Sequence, residues 1–277
     1  MVTTSVIVLF GLGLVAAAIL SIASVLLAVE EDPRVAAVSE CLPGANCGGC
    51  GYAGCDAYAA AVVTDPAVPA NGCVAGGADV AAAVGKLTGK AAGGGLPKVS
   101  FRRCSKAEGN VARKYDYQGV TSCAAAMLLD GGPDACKFSC VGFGDCVKAC
   151  PFSAMYIGDD NMVHIIDEFC TSCGICTRTC PNGILEIIPR EARVQVFCSS
   201  QDKGPQVKAV CEVGCISCQS CIKKCPANAV SMRDNRIYID HEACMAYGPS
   251  CEEACSTKCP RDILRILTKA TEAKEAA

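Results

Sequence analysis

Four cysteines in this chain are each followed directly by proline, Cys150, Cys180, Cys225 and Cys259, and each closes a run of closely spaced cysteines. An ordinary hydrophobic core does not require that pattern, whereas thiols converging from tight loops onto a shared partner do. The runs belong to a chain with 25 cysteines among 277 residues, a density at which cysteine chemistry organises the fold. Such density arises in a secreted disulfide scaffold, in zinc knuckles or in iron–sulfur proteins. An odd count leaves at least one thiol unpaired in the first. The formal net charge of −3 comes with no clustered basic face, which argues against nucleic acid as the main partner. A composition 51% apolar argues against disorder.

An internal repeat governs how the runs are read. The segments DNMVHIIDEFC at 160–170 and DNRIYIDHEAC at 234–244 are copies offset by 74 residues, each an alternating strand pattern that runs into a cysteine. A pair of cysteine runs surrounds each copy, so the second half of the chain consists of two tandem units. Cys170, Cys173, Cys176 and Cys180 have the C-x2-C-x2-C-x3-C-P spacing of bacterial two-cluster ferredoxins, and Cys215, Cys218, Cys221 and Cys225 repeat it. That resemblance implies a βαββαβ-like unit holding two clusters, with the fourth cysteine of each run crossing to the other cluster. It implies Cys136, Cys140 and Cys146 with Cys180, and Cys150 with Cys170, Cys173 and Cys176. In the second unit it implies Cys215, Cys218 and Cys221 with Cys259, and Cys225 with Cys244, Cys251 and Cys255. Proline after the fourth cysteine has no amide hydrogen and a fixed φ, which suits a chain that leaves a cluster and starts a helix. Two runs depart from the standard spacing, C-x3-C-x5-C-x3-C from Cys136 and C-x6-C-x3-C-x3-C from Cys244, so longer loops are expected there.

Upstream, Cys47, Cys50, Cys55 and Cys73 form C-x2-C-x4-C-x17-C with Gly48, Gly49, Gly51 and Gly54 threaded through the tight part. Glycine supplies the backbone conformations that turn such close cysteines inward. Zinc accepts four thiolates too, so the spacing alone leaves both metals open. Cys41, Cys104, Cys123, Cys198 and Cys211 remain. They read as small buried hydrophobes, or four of them as a sixth site, with Cys211 an alternative ligand beside Cys215 and Cys41 beside the first group.

The first thirty residues carry an uncharged stretch of 24 residues from Ser5 to Ala28, long enough as a helix to cross a hydrocarbon core of about 30 Å. It lacks the basic n-region and small-x-small cleavage site of a signal peptide. Thiolate-ligated clusters suit a reducing compartment, which puts everything after this anchor in the cytoplasm.

The segment LPGANCGGCGYAGCDAYAAAV, following an apolar helix, resembles the small 4Fe-4S domain after the membrane anchor in the B subunit of the Rnf complexes, and the order of parts resembles that family throughout. The implied class is α+β: a transmembrane anchor at 1–29, a small 4Fe-4S domain at 30–75 and an Ala/Gly-rich linker at 76–100. Ferredoxin-like units follow at 101–190 and 191–277, each with two 4Fe-4S clusters. The family implies about five 4Fe-4S clusters, no flavin or nucleotide in this subunit, and a single-pass place in the inner (cytoplasmic) membrane. It implies a subunit of an ion-translocating ferredoxin:NAD oxidoreductase, a translocase that takes electrons from soluble reduced ferredoxin and passes them to flavin-bearing Rnf-type subunits beside its membrane partners. No phosphate loop or Ser/His/Asp constellation offers a site for organic chemistry, so no catalytic residue is assigned. His164 and His241 read as structural residues on or beside the repeated strands. Lys98, Arg102, Arg103 and Lys106 form a basic stretch suited to steering an acidic ferredoxin. Two other readings share these features: an electron-feeding polyferredoxin subunit of a hydrogenase-linked or redox-regulator-reducing complex, and a membrane-tethered zinc-binding interaction module.

Overall fold

The computed structural model describes residues 2–26, 32–93, 96–107 and 111–267. An N-terminal helix, α1 (Val2–Leu26), is followed by three helices of a small domain: α2 (Pro33–Cys41), α3 (Cys55–Thr64) and α4 (Gly77–Thr88). Within α1 the side chains described are those at 6–7 and 10–23, a shorter stretch than a crossing needs; among the described residues no helix is long and apolar enough to cross a membrane. The expected end of the apolar run at Ala28, the acidic flank Glu30 and Glu31, and residues 268–277 of the second unit lie outside the described residues.

Proline at the start of α2 pre-sets φ, and the Asp32 carboxylate accepts the Arg34 amide as N-cap. Helix α3 begins where Asn46 Oδ1 accepts the Cys55 amide at 2.8 Å. Val38, Tyr58, Val62 and Val84, one or more from each of α2, α3 and α4, are fully buried together. Helix α4, which composition assigns to the linker, is therefore part of the small domain's core. The chain beyond it is tied back as well: the Lys90 ammonium donates to the carbonyls of Val62, Asp65 and Val68 at 2.6–2.8 Å.

The first ferredoxin-like unit consists of β1 (Lys98–Arg102), α5 (Cys123–Met127), α6 (Asp145–Lys148), β2 (Met155–Ile157), β3 (Val163–Ile165), α7 (Ile175–Thr179) and β4 (Leu185–Pro189). The second consists of β5 (Val194–Val196), α8 (Gly204–Val210), α9 (Ser220–Lys224), β6 (Val230–Arg233), β7 (Arg236–Ile239), α10 (His241–Tyr247), α11 (Ala254–Thr257) and β8 (Leu264–Ile266). In each, the first strand pairs antiparallel with the last and the middle two form a hairpin, so β1 pairs β4 and β5 pairs β8. The repeated segments form β3 and β7. The hairpin between β6 and β7 turns on Asp234 and Asn235, both at positive φ, as a two-residue primed turn demands.

The Cys-Pro steps lead into a different backbone from the expected helix start. At Cys180, Cys225 and Cys259 the cysteine carbonyl accepts an amide three residues on, and at all four steps the third residue after cysteine (Ser153, Gly183, Asn228, Asp262) has positive φ. Proline thus opens a β-turn that aims the chain into a strand, rather than a helix, because the left-handed residue redirects the backbone immediately.

Contacts at two seams fix the larger arrangement. A Cβ on Gly49 would lie 2.9 Å from the Cys173 carbonyl oxygen, and the Arg178 guanidinium donates to the Cys47 carbonyl at 3.2 Å, so the small domain sits on the first unit. Between the units, Phe101 meets Phe197 edge to face, with ring centroids 4.9 Å apart. Beside them the Arg103 side chain, 1% exposed, pairs with Glu186 at 2.9 Å and donates to the carbonyls of Ile237 and Cys198.

Candidate metal centres

Each of the four quartets in the ferredoxin-like units lies where a loop with residues at positive φ meets a Cys-Pro turn from elsewhere in its unit, and in the small domain Cys73 takes the place of that turn. Around Cys173 the flanking Ser172 and Gly174 are left-handed, and around Cys218 Ser217 and Gln219 are. This alternation curls the loop and presents three sulfurs to one point.

Five cavities result, each bordered by four cysteines. Cys47, Cys50, Cys55 and Cys73 surround about 330 Å³ in the small domain. Cys150, Cys170, Cys173 and Cys176 surround about 320 Å³ in the first unit. In the second unit, Cys215, Cys218, Cys221 and Cys259 surround about 300 Å³, and Cys225, Cys244, Cys251 and Cys255 about 400 Å³. The unusual C-x6-C run is accommodated by a short helical turn at Pro249–Cys251 and two left-handed residues, Glu252 and Glu253. Arg193 reaches over this loop and donates to the Gly248 carbonyl and the Glu253 carboxylate.

The remaining cavity, about 350 Å³, is bordered by Cys123, Cys140, Cys146 and Cys180. The ferredoxin resemblance implies Cys136 in this group; the structure brings Cys123 here instead and leaves Cys136 outside the lining. Ser122 caps α5 by accepting the Ala125 amide, and Asp145 takes hydrogen bonds from Ser122 Oγ (2.8 Å) and the Ala124 amide (3.1 Å). The start of α5 is thereby fastened to the start of α6, with Cys123 facing Cys146. The signal was present in the repeat. Cys136, Cys140, Cys146 and Cys150 coincide with Cys211, Cys215, Cys221 and Cys225 at an offset of 75 residues, and Phe143 stands where the second unit has Cys218. Gly142 and Gly144 carry the same positive φ as Ser217 and Gln219. The loop is that of a three-cysteine run whose middle cysteine is missing, and Cys123 supplies it from an insertion.

The thiols are electrostatically unsettled without a cation. Burial pushes Cys146 and Cys221 up to about 12, and Cys215 and Cys255 up to about 11, with neighbouring thiols adding to the effect. Polar hydrogens face the sulfurs: the Ser100 amide lies 3.3 Å from Cys170 Sγ, the Ser100 hydroxyl 3.3 Å from Cys176 Sγ, and the Ala154 amide 3.4 Å from Cys150 Sγ. Among the described residues, no three His, Cys, Asp or Glu side chains converge closely enough to hold a single metal ion. Four thiols that border one cavity without converging on a single point suit a polynuclear group better than one zinc at about 2.3 Å from each sulfur. The residues fit 4Fe-4S clusters.

Three members of the expected basic docking stretch face inward. Arg103 is buried, Lys106 pairs with Asp134 at 2.9 Å, and Arg102 donates to the Val163 carbonyl and lies 3.7 Å from Asp160. Of the four, Lys98 alone is left exposed, so these cations bind the fold together and offer no basic face.

Fold and thiol quartets define a multi-cluster protein of ferredoxin type. Residues 42–75 match the family model for an Fe-S cluster domain, and residues 139–185 match the 4Fe-4S dicluster domain. The chain is 41% identical over 262 residues to the B subunit of the ion-translocating oxidoreductase complex of Methanosarcina acetivorans, covering 95% of this chain and 97% of that one. It is 41% identical to the B subunit of the proton-translocating ferredoxin:NAD(+) oxidoreductase complex of Clostridium ljungdahlii (95% and 92% covered). It is 38% identical to the B subunit of the Na(+)-translocating ferredoxin:NAD(+) oxidoreductase complex of Acetobacterium woodii (92% and 73% covered). The chain belongs to the family of Rnf complex B subunits, the iron–sulfur electron-transfer subunits of ion-translocating oxidoreductases.

Proposed function

We propose that this chain takes electrons from soluble reduced ferredoxin and hands them to flavin-bearing partners of its complex, held at the inner membrane by α1 with its cluster-bearing parts in the cytoplasm. The observation that carries the reading is the set of five four-thiol cavities strung through three packed bodies. In this reading the 4Fe-4S clusters, when bound, each take up and release one electron. Their ligands are Cys47, Cys50, Cys55 and Cys73; Cys150, Cys170, Cys173 and Cys176; Cys123, Cys140, Cys146 and Cys180; Cys215, Cys218, Cys221 and Cys259; and Cys225, Cys244, Cys251 and Cys255.

The chain's own contribution is to fix and tune. Amide and hydroxyl hydrogens aimed at sulfur, such as those of Ser100 and Ala154, stabilise the more negative, reduced state and raise its potential. Arg193, beside Cys251 Sγ at 3.7 Å, acts in the same sense on the last quartet. The contact of Gly49 with Cys173 keeps the small domain's quartet close to that of Cys150, Cys170, Cys173 and Cys176. Support for the anchor comes from α1 itself. Phe10, Leu12, Leu14, Ile19 and Leu20 are all exposed on a helix without a charge, a surface that lipid covers and water does not. Flavin belongs to the partners.

The test is rapid mixing of the anaerobically loaded full chain, in detergent, with reduced ferredoxin while the visible sulfur-to-iron absorption is followed. Bleaching that saturates with ferredoxin is expected. Absence of bleaching by ferredoxin in a preparation that dithionite reduces would overturn the assignment of the donor. Zinc in place of iron would overturn the reading as a whole.

A further inference from the structure

Five cysteines border none of the cavities: Cys41, Cys104, Cys136, Cys198 and Cys211. Cys41 ends α2 in the small domain. The other four come from four separate segments, two from each ferredoxin-like unit, at matching places. Cys104 follows the end of β1 by two residues and Cys198 follows the end of β5 by two. Cys136 and Cys211 each stand four residues before a cavity cysteine, Cys140 and Cys215. The pairs are therefore related by the internal repeat, and the repeat brings both to the seam between the units.

Contacts around these residues close the seam. Ser105 Oγ donates to the Phe197 carbonyl at 3.2 Å, joining the neighbours of Cys104 and Cys198. Ser199 Oγ donates to the Phe138 carbonyl at 3.0 Å, and Lys137 pairs with Asp202 at 3.2 Å, joining the segments of Cys198 and Cys136. The Cys215 amide lies 3.3 Å from Cys198 Sγ, which puts that sulfur against the segment of Cys211. The Cys198 thiol is also near enough to act on the thiols of Cys104, Cys136 and Cys211, and Cys211 on that of Cys136.

The sulfurs are dressed as the cavity thiols are. In the cavities, the amide two residues on faces the sulfur, from Gly142 to Cys140, Ile175 to Cys173 and Ser217 to Cys215. The same holds at the seam for Lys106 to Cys104, Phe138 to Cys136 and Val213 to Cys211. Cys41 has no place in this arrangement. A buried cation stands beside the group as well, since Arg103 donates to the Cys198 carbonyl and is itself 1% exposed. Its charge is already paired with Glu186 at 2.9 Å, and what it adds at the seam is a buried cation beside the Cys198 segment, which favours an anionic group bound by thiolates there.

We propose that Cys104, Cys136, Cys198 and Cys211 hold a sixth iron–sulfur cluster, seated between the two ferredoxin-like units and ligated equally by both. The proposal rests on the reading of the five cavities as cluster sites and adds a link where the two units would otherwise be joined only by side chains. It also accounts for the identical spacing of Cys136 and Cys211 ahead of their cavities.

The test is native mass spectrometry of the full chain, purified and loaded anaerobically in detergent, with iron and acid-labile sulfide measured on the same samples. The parent is expected to carry six cluster increments and roughly 24 irons. Cys198→Ala and Cys211→Ser are expected to carry five increments, Cys41→Ala six, and Cys123→Ala combined with Cys198→Ala four. A parent that saturates at five increments overturns the sixth site while leaving the other five standing, and it does so even if the variants fail to fold. Loss of a cluster from Cys41→Ala with none from Cys198→Ala would also overturn it. A parent holding zinc, or no cluster, would instead remove the reading on which the proposal rests.

Discussion

Replacing Arg103 by methionine tests how the two ferredoxin-like units are held together. The guanidinium is almost wholly buried, pairs with Glu186 at 2.9 Å, donates to two carbonyls of the second unit and lies 5.3 Å from the centre of the Tyr238 ring. Methionine keeps most of the apolar stem and removes the donors. Each stranded carbonyl costs about 1–3 kcal/mol, and the lost cation–π contact about 1 kcal/mol. Against this, burial already draws the guanidinium's pKa down, so the variant recovers part of a desolvation cost. Glu186, about a third exposed, can turn to water. The net is about 3 kcal/mol, or roughly a hundredfold in the equilibrium for opening the seam. Hydrogen–deuterium exchange of samples matched for iron content reads this directly at 194–199 and 236–239. Arg233→Ala is the control, since that exposed residue lies over the same ring at 5.8 Å and should change exchange little. Acceleration below threefold in Arg103→Met, or acceleration confined to β1, would refute the reasoning.

Cys123→Ala is expected to lose one cluster, about four irons, and Phe143→Cys in that background to restore it by completing the standard run, checked by iron analysis; failure of the rescue would mean that the loop at Phe143 is not a vacated ligand position. Gly49→Ala puts a methyl group against the Cys173 carbonyl, which cannot yield, so docking of the small domain weakens by about 1–3 kcal/mol. Magnetic coupling between the two neighbouring clusters in EPR should fall, and unchanged coupling would count against the contact. His241 has its pKa lowered, first by burial, and its Nδ1 has no hydrogen-bond partner among the described residues. The folded state then binds fewer protons than the unfolded one around and below the ordinary value of 6.5, and stability is lost as the pH falls through that region. In His241→Gln the acid-induced loss of visible absorption between about pH 7 and 5 should be shallower than in the parent; parallel profiles would reject a role for this imidazole.

Cysteine spacing made most of the site readable, because a run that must converge on one object within ten residues leaves few ways to fold. The Cys170–Cys180 and Cys215–Cys225 runs follow from that constraint, whereas the place of Cys180 and Cys259 at the other cavity of their units was legible only through the likeness to two-cluster ferredoxins. Cys123 was not readable by the same route. It lies in an insertion between β1 and α6 that has no strand or helix period, and its place depends on hydrogen bonds to Asp145, far along the chain. Comparing one half of the repeat with the other would have exposed the gap at Phe143, but a familiar motif draws attention to the cysteines that are present. The basic stretch failed for a different reason. Charge in a sequence does not say which way a side chain points, and at the end of β1 Arg102 and, just beyond it, Arg103 both turn toward carbonyl and carboxylate partners. The linker was only partly legible, since an Ala/Gly-rich composition hides that Val84 is a core residue and that Lys90 clamps the chain behind it.

The pairing of first strand with last has a consequence for how the protein is made. In the small domain every thiol from Cys47 to Cys73, with the core that holds them, has emerged from the ribosome within about the first third of the chain, and iron can be delivered to it while synthesis continues. The ferredoxin-like units cannot be served that way. β1 waits for β4 and β5 for β8, and the closing thiols Cys180 and Cys259 arrive in the turns just ahead of those last strands. Until then the earlier cysteines of each unit are bare nucleophiles on an open chain. The assembly machinery therefore meets a half-loaded polypeptide whose middle thiols need shielding from oxidation for most of its synthesis.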